Sequence, residues 1–295
     1  MPNATLLAAL ADPTAPFTDA RYFEKDYAIR RGATKALFDV SNTDTTSNTG
    51  VFLNTAPLNN LVVSGTGATV AGPGSGTGFP AIVTGTLRSS GAHGFAAINL
   101  PGDNHFYIPA SETKVLVTFY LRMLKTGFSA GYFPGLIGAG TGTGANTQWA
   151  FYVQDTGSDG TLDNATLRVR TPAGTNLDAA LTGAALDALL DGDLHQVGLY
   201  MTRVADVGQC SIYVDGVLQI ESSTSSMTAF NRPASSVAQA FTGPGLGYVC
   251  NPSGTNGLQD TRMGRFAVHY LTSSNLTVAE ILADEAVAAA LGSLA

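Results

Sequence analysis

The chain has 295 residues, only 13% of them charged, and a net charge of −7. The charged share is about half the usual 25%, and the negative balance argues against a nucleic-acid binder, which needs a basic face. Apolar runs are strand-length, so no membrane-spanning helix is expected, and the length supports a full core without disulfide or metal staples.

Residues 1–36 read as an N-terminal arm. Asn3 is placed to cap a short helix over 4–11 that must end near Pro13. The stretch 19–31 mixes Arg21, Lys25, Arg30 and Arg31 with Tyr22, Phe23 and Tyr27. It fits either a docking arm, with Tyr22, Phe23, Tyr27, Arg30 and Arg31 as its contacts, or a surface helix followed by a linker. No Lys or Arg precedes the first apolar stretch, so no secretory signal is expected. Folding in a cytoplasm then favours Cys210 and Cys250 as reduced thiols buried as small hydrophobes, with a disulfide between them as the alternative.

Residues 37–295 read as one β-domain. Strands are predicted at 36–40, 61–63, 94–100, 106–108, 114–124, 135–137, 148–153, 165–170, 196–202, 210–214, 217–221, 245–249 and 263–270. Turn-rich breaks separate them, which is the pattern of a sandwich or barrel. Two Gly-rich stretches, 64–78 and 138–147, are expected to be exposed loops. In 196–202, Val197, Leu199 and Met201 share one face, and Asp215-Gly216 suits a two-residue hairpin turn. A helix is predicted over 277–291: Thr277 and Glu280 form a capping box, with Leu276 and Ile281 as its hydrophobic staple. Gly292 stops it.

Residues 191–197 (DGDLHQV) resemble the DGxWHxV strand of concanavalin A-like lectin/glucanase domains of the laminin-G type. Residues 211–216 (SIYVDG) resemble the YVDG hairpin that follows it. Residues 263–281 resemble the closing strand and its LSxxEI helix start, and the likeness spans roughly 37–290. Leu194 stands where that family often has Trp. The resemblance implies an antiparallel jelly-roll β-sandwich, activity as a lectin or glucanase, and Ca²⁺ on loops in many members.

A glucanase needs two carboxylates on one strand, in an E-x-D-x-E or E-x-D-x-x-E pattern. None of Glu24, Glu112, Glu221, Glu280 and Glu285 opens a complete pattern, so no enzyme is expected. Residues 127–131 match G-x-S-x-G, but a turn and a strand follow where a nucleophile elbow needs a helix. His93, His105, His195 and His269 show no metal spacing, and His195 is expected to pack at a strand start. Asp155, Asp159 and Asp163 could hold Ca²⁺ or shape a solvated Asp-Gly loop. Trp149 and Phe151 share a strand face and could stack on a sugar or fill the core.

A lectin-like domain without an export signal fits a virion, assembled in a host cytoplasm and released by lysis. The expectation is a non-enzymatic virion protein of a bacteriophage: capsid decoration, or a tail-fibre or spike subunit. Its partners would be other virion proteins and copies of itself. A carbohydrate-binding module recognising a host-surface glycan is the alternative, and no nucleic acid or membrane insertion is expected.

Overall fold

The computed structural model describes residues 32–38, 107–128, 131, 135–140, 147–231 and 261–291, together with the strand backbone at 51–52, 68–71, 81–83, 86–88, 97–100 and 240–242. The first strands are β1 (Thr34–Phe38), β2 (Val51–Phe52), β3 (Ala68–Ala71), β4 (Ala81–Val83), β5 (Thr86–Arg88) and β6 (Ala97–Leu100). The middle of the chain adds β7 (Lys114–Leu124), β8 (Gly135–Gly140), β9 (Thr147–Gln154), β10 (Asn164–Arg170), β11 (Asn176–Leu181) and the helix α1 (Gly183–Leu189). Then come β12 (Asp191–Val204), β13 (Val207–Val214), β14 (Val217–Thr224), β15 (Ala240–Thr242), β16 (Arg262–Tyr270) and the helix α2 (Val278–Leu291).

Among the described residues these strands form two eight-stranded antiparallel sheets. The first runs β14-β13-β12-β7-β16-β5-β4, with β1 also paired to β16; the second runs β11-β10-β9-β8-β15-β6-β3-β2. The protein is an all-β sandwich with a C-terminal helix. Alternation builds its core. Val115, Val117, Phe119, Leu121 and Met123 of β7 face inward and meet Trp149, Phe151 and Val153 of β9. Phe119 and Phe151 touch at a 5.9 Å centroid distance, tilted by 57°, a favourable aromatic geometry.

The outer face of the first sheet is not left to water. α2 lies over it, sealing Leu116, Leu271, Leu276, Ile281, Leu282 and Ala33 in a second apolar cluster. The predicted cap forms: Thr277 N–H donates to Glu280 Oε2 (2.8 Å) and Glu280 N–H donates to Thr277 Oγ1 (3.2 Å). Leu276 and Ile281 close the staple within that cluster.

Several expectations shift. β1 begins at Thr34, so residues 34–36 belong to the sheet and not to the arm. β3 lies inside the stretch expected as the loop 64–78. Residues 107–108 are not a strand, because the Gln148 side-chain amide replaces the ladder: it accepts from Ile108 N–H (2.6 Å) and donates to Ile108 C=O (2.9 Å). β11 and α1 were not predicted. A second two-residue hairpin, Ala205-Asp206, joins β12 to β13 with φ of 50° and 64°, without the Gly or Asn such turns favour. The predicted strands 61–63 and 245–249 and Cys250 lie outside the described residues.

Candidate functional site

The sequence-predicted site residues fall in three places. Trp149 and Phe151 are fully buried in the core between the sheets. Neither ring offers a face to a sugar, so the stacking reading is corrected to core packing. The reason is that β9 is buried on both faces along almost its whole length, and alternation shows which residues share a face but not which face is wet.

Asp155, Asp159 and Asp163 form a loop clasp instead of a Ca²⁺ site. Asp155 accepts N–H bonds from Gly160 (2.9 Å), Gly131 (3.0 Å) and Asp159 (3.3 Å). Asp163 Oδ2 accepts from Thr156 N–H and Oγ1–H (both 2.6 Å) and from Gly157 N–H (2.8 Å). Asp159 accepts from Thr161 N–H (2.9 Å). Burial works to raise the Asp155 pKa, but the Gly160, Gly131 and Asp159 N–H groups outweigh it and hold the carboxyl below its usual range. The Thr156 hydroxyl and the Gly157 and Thr156 N–H groups lower that of Asp163. Backbone donors take the place of a cation, and no group of three metal-ligating side chains forms among the described residues.

The proposed arm contacts Tyr22, Phe23, Tyr27, Arg30 and Arg31 lie outside the described residues. Cys210 is a free, buried thiol, and burial pushes its pKa up to about 12, which suits an inert core residue.

What the structure brings together is a groove of about 710 Å³ on the outer face of the first sheet. One wall is α2, presenting Ala279, Ala283, Ala286 and Ala289. The other is built from Asp193, Leu194, Asp215, Gly216 and Val217, with Tyr120 and Gln196 beneath. The helix is held at its distance by polar contacts. Gln196 Nε2 donates to Leu282 C=O (2.8 Å) and the Tyr120 hydroxyl donates to Glu285 C=O (3.1 Å). Gly198 lets it approach, since a Cβ there would lie 2.9 Å from Leu282 Cδ2.

The opposite wall is shaped by the DGDLHQV and YVDG segments. Gly192 at φ +95° sits in a bulge of β12, where Asp191 accepts Asp193 N–H (2.7 Å). Asp215-Gly216 turns β13 into β14 at φ of 48° and 79°, as predicted. Asp215 Oδ1 accepts Gln196 N–H (2.8 Å), and its Oδ2 lies 2.7 Å from His195 Nδ1. His195 Nε2 lies 3.0 Å from Asp191 Oδ1. His195 thus bridges two carboxylates, which only accept hydrogen bonds. Both contacts can be made only by the imidazolium.

Burial works to lower the His195 pKa, but the bonds to Asp215 and Asp191 and their charges overcome it and raise the value. Its stabilisation is therefore complete below pH 6.5 and fades as pH rises through the raised folded pKa. His195→Gln is expected to cost about 1 kcal/mol at pH 6, the upper range for exposed pairs, and less at pH 9. Urea melts of both proteins at the two pH values test this, and an NMR titration placing His195 below 6.5 would contradict it.

The sequence placed His195 at a strand start but not between two acids. The signal was present: Asp191 and His195 are four apart across a Gly bulge, beside an Asp-Gly turn. Tyr120 carried no motif, and Asp193 and Gln196 occupy the unspecified positions of DGxWHxV.

No family model matches this chain, and no curated protein matches it. Solved structures do. The binding domain of botulinum neurotoxin DC in complex with rat synaptotagmin II aligns over 87% of this chain at 14% identity and a TM-score of 0.55. The serotype D ligand-binding domain in complex with N-acetylneuraminic acid aligns over 88% at 11% identity and 0.54. A type C neurotoxin structure, described by its cell entry through two ganglioside molecules, aligns over 87% at 11% and 0.54. The likeness establishes a shared fold. This chain covers 52% of each of those three chains, about half their length.

Proposed function

We propose that the chain is a non-enzymatic recognition module that binds a cell-surface glycan, carried as a structural component of a virion. The observation that carries the binding half is the groove. Its helix wall is apolar and Tyr120 and Gln196 form its floor, while Asp193 and Asp215 stand exposed on one lip. Sugars present apolar C–H faces and hydroxyl edges, and such a lip accepts the hydroxyls. The fold supports the reading by analogy, because its solved neighbours are binding domains. The DGDLHQV and YVDG segments, which wall the groove, suggest kinship with concanavalin A-like domains.

A glycan array read with the purified chain is the test. Binding to at least one glycan is expected, weakened about tenfold or more by Ala283→Trp, which fills the groove from an exposed helix position, and by Asp193→Asn. Binding unaffected by both changes would remove the groove from the reading.

The virion half rests on composition: four Lys, 34 Gly, and Thr- and Ala-rich turns. The residues before β1 would dock the module onto other virion proteins or copies of itself, after synthesis in the host cytoplasm. Immunogold electron microscopy of particles, with and without residues 1–30, tests it. Incorporation that survives the deletion would sink the arm's role, and unlabelled particles would sink the virion setting.

A further inference from the structure

The groove beside α2 is one-sided in its hydrogen bonding. Its polar lining side chains are Tyr120, Asp193, Gln196 and Asp215. Their donors are all taken up inside the protein. The Tyr120 hydroxyl donates to Glu285 C=O at 3.1 Å. Gln196 Nε2 directs its hydrogens to Leu282 C=O (2.8 Å) and to the Tyr120 oxygen (3.3 Å). The two aspartates, when ionised, only accept.

The acceptors are open. Gln196 is 4% exposed, and its Oε1 accepts no hydrogen bond among the described residues. That oxygen is not among the sealed, unpartnered side-chain atoms, so its open side is the groove. Asp193 is exposed, and its only hydrogen bond among the described residues runs from its backbone N–H to Asp191. No basic side chain lines the groove among the described residues. Arg122, across from Leu194 in the sheet, donates from Nε to Gly192 C=O, and His195 is held between Asp191 and Asp215. A buried acceptor without a partner calls for a donor, and a lip of carboxylates calls for positive charge.

We propose that the groove selects glycans that carry a free amino group, with the ammonium held by Gln196 Oε1 and Asp193 and the sugar's C–H face along the alanines of α2. An ammonium brings three donors and a positive charge and needs no acceptor role. Its bond to a carboxylate is roughly twice as strong as a neutral one. A carboxylate or sulfate on the sugar would bring only acceptors and meet like charge. Acetylating the amine removes the charge and leaves one N–H, so the N-acetylated sugar is the closest control. The inference rests on the glycan reading above and adds the group by which the ligand is recognised.

The test is calorimetric titration of the full chain at about pH 6 with a glucosamine tetramer, its N-acetylated counterpart, sialyllactose and spermidine. The glucosamine tetramer is expected to bind about tenfold or more tighter than the N-acetylated one, with sialyllactose the weakest of the sugars. Asp193→Asn keeps the backbone bond to Asp191 and should bring the ratio of the two tetramers to about threefold or less. Asp193→Lys should place the glucosamine tetramer below its acetylated counterpart. An N-acetylated tetramer or sialyllactose that matches the glucosamine tetramer overturns the amine and leaves glycan recognition standing. A tetramer ratio left unchanged by either Asp193 variant does the same. Spermidine binding as tightly as the glucosamine tetramer overturns the sugar as the source of the ammonium. Silence from all three sugars sinks this inference, and only silence across the glycan array removes the glycan reading with it.

Discussion

Glu285→Ala is expected to destabilise the fold by about 3–5 kcal/mol, the largest effect of any single change considered. Arg265 sits at a break in the β16–β7 register with φ +44° and is 1% exposed. Its Nε donates to Glu285 Oε2 at 2.7 Å and its Nη2 to Oε1 at 3.4 Å. Removing the carboxylate takes the Glu285 ion pair away from a guanidinium held in the interior, and a broken buried pair costs that much. The pair is not itself a large source of stability, because both ions were desolvated to form it. Replacing both, as Arg265→Met with Glu285→Leu, should therefore recover most of the loss. Urea unfolding of the three variants tests the ordering. A single variant within 1 kcal/mol of the parent would show that water reaches Arg265.

Acid is expected to weaken the fold well above the carboxylate range, by about 3 kcal/mol between pH 6.5 and 4. His269 is fully buried, with Nδ1 3.0 Å from Thr34 Oγ1 and Nε2 3.1 Å from Thr118 Oγ1. Two hydroxyls, each able to donate or accept, satisfy a neutral ring. Burial depresses its pKa from 6.5 to about 4. Between those values the unfolded chain binds the extra proton and the folded one does not, so stability falls as pH falls. A shift of that size corresponds to about 3 kcal/mol. His195 acts with the opposite sign above 6.5, so stability should peak at roughly pH 6–7. Urea midpoints from pH 8 to 4 would trace the dome. In His269→Gln the acid limb should flatten, and an unchanged limb would assign the loss to other groups.

Much of the sandwich was legible because its long strands carry strong signals. β7 was predicted with the bounds it has, since eleven mostly apolar, strand-favouring residues run without a breaker. The cap of α2 was legible because a capping box is written in four adjacent residues. β11 was not, because NLDAAL gives only Leu177, Ala179 and Leu181 as its inward set, and small residues blunt the alternation. α1 has Thr182 as its N-cap but no acidic residue in its first turn and only seven residues, so its start signal was weak. The groove was hidden for another reason. It is made by residues up to 169 positions apart, Tyr120 to Ala289, and no local pattern reports where a distant helix will lie.

The pairing of β1 with β16 has a consequence for how the protein is made. Thr34 waits opposite His269, 235 residues later, and the face of β7 that carries Leu116 and Tyr120 waits for α2. A ribosome adds about 5–20 residues per second, so this side of the sandwich stays open for roughly 10–50 s of synthesis. Pairings this distant also form slowly once the partners exist. During that interval apolar strand surface is exposed in a nascent chain, and partner copies emerging nearby could pair with it before the chain's own last strand arrives.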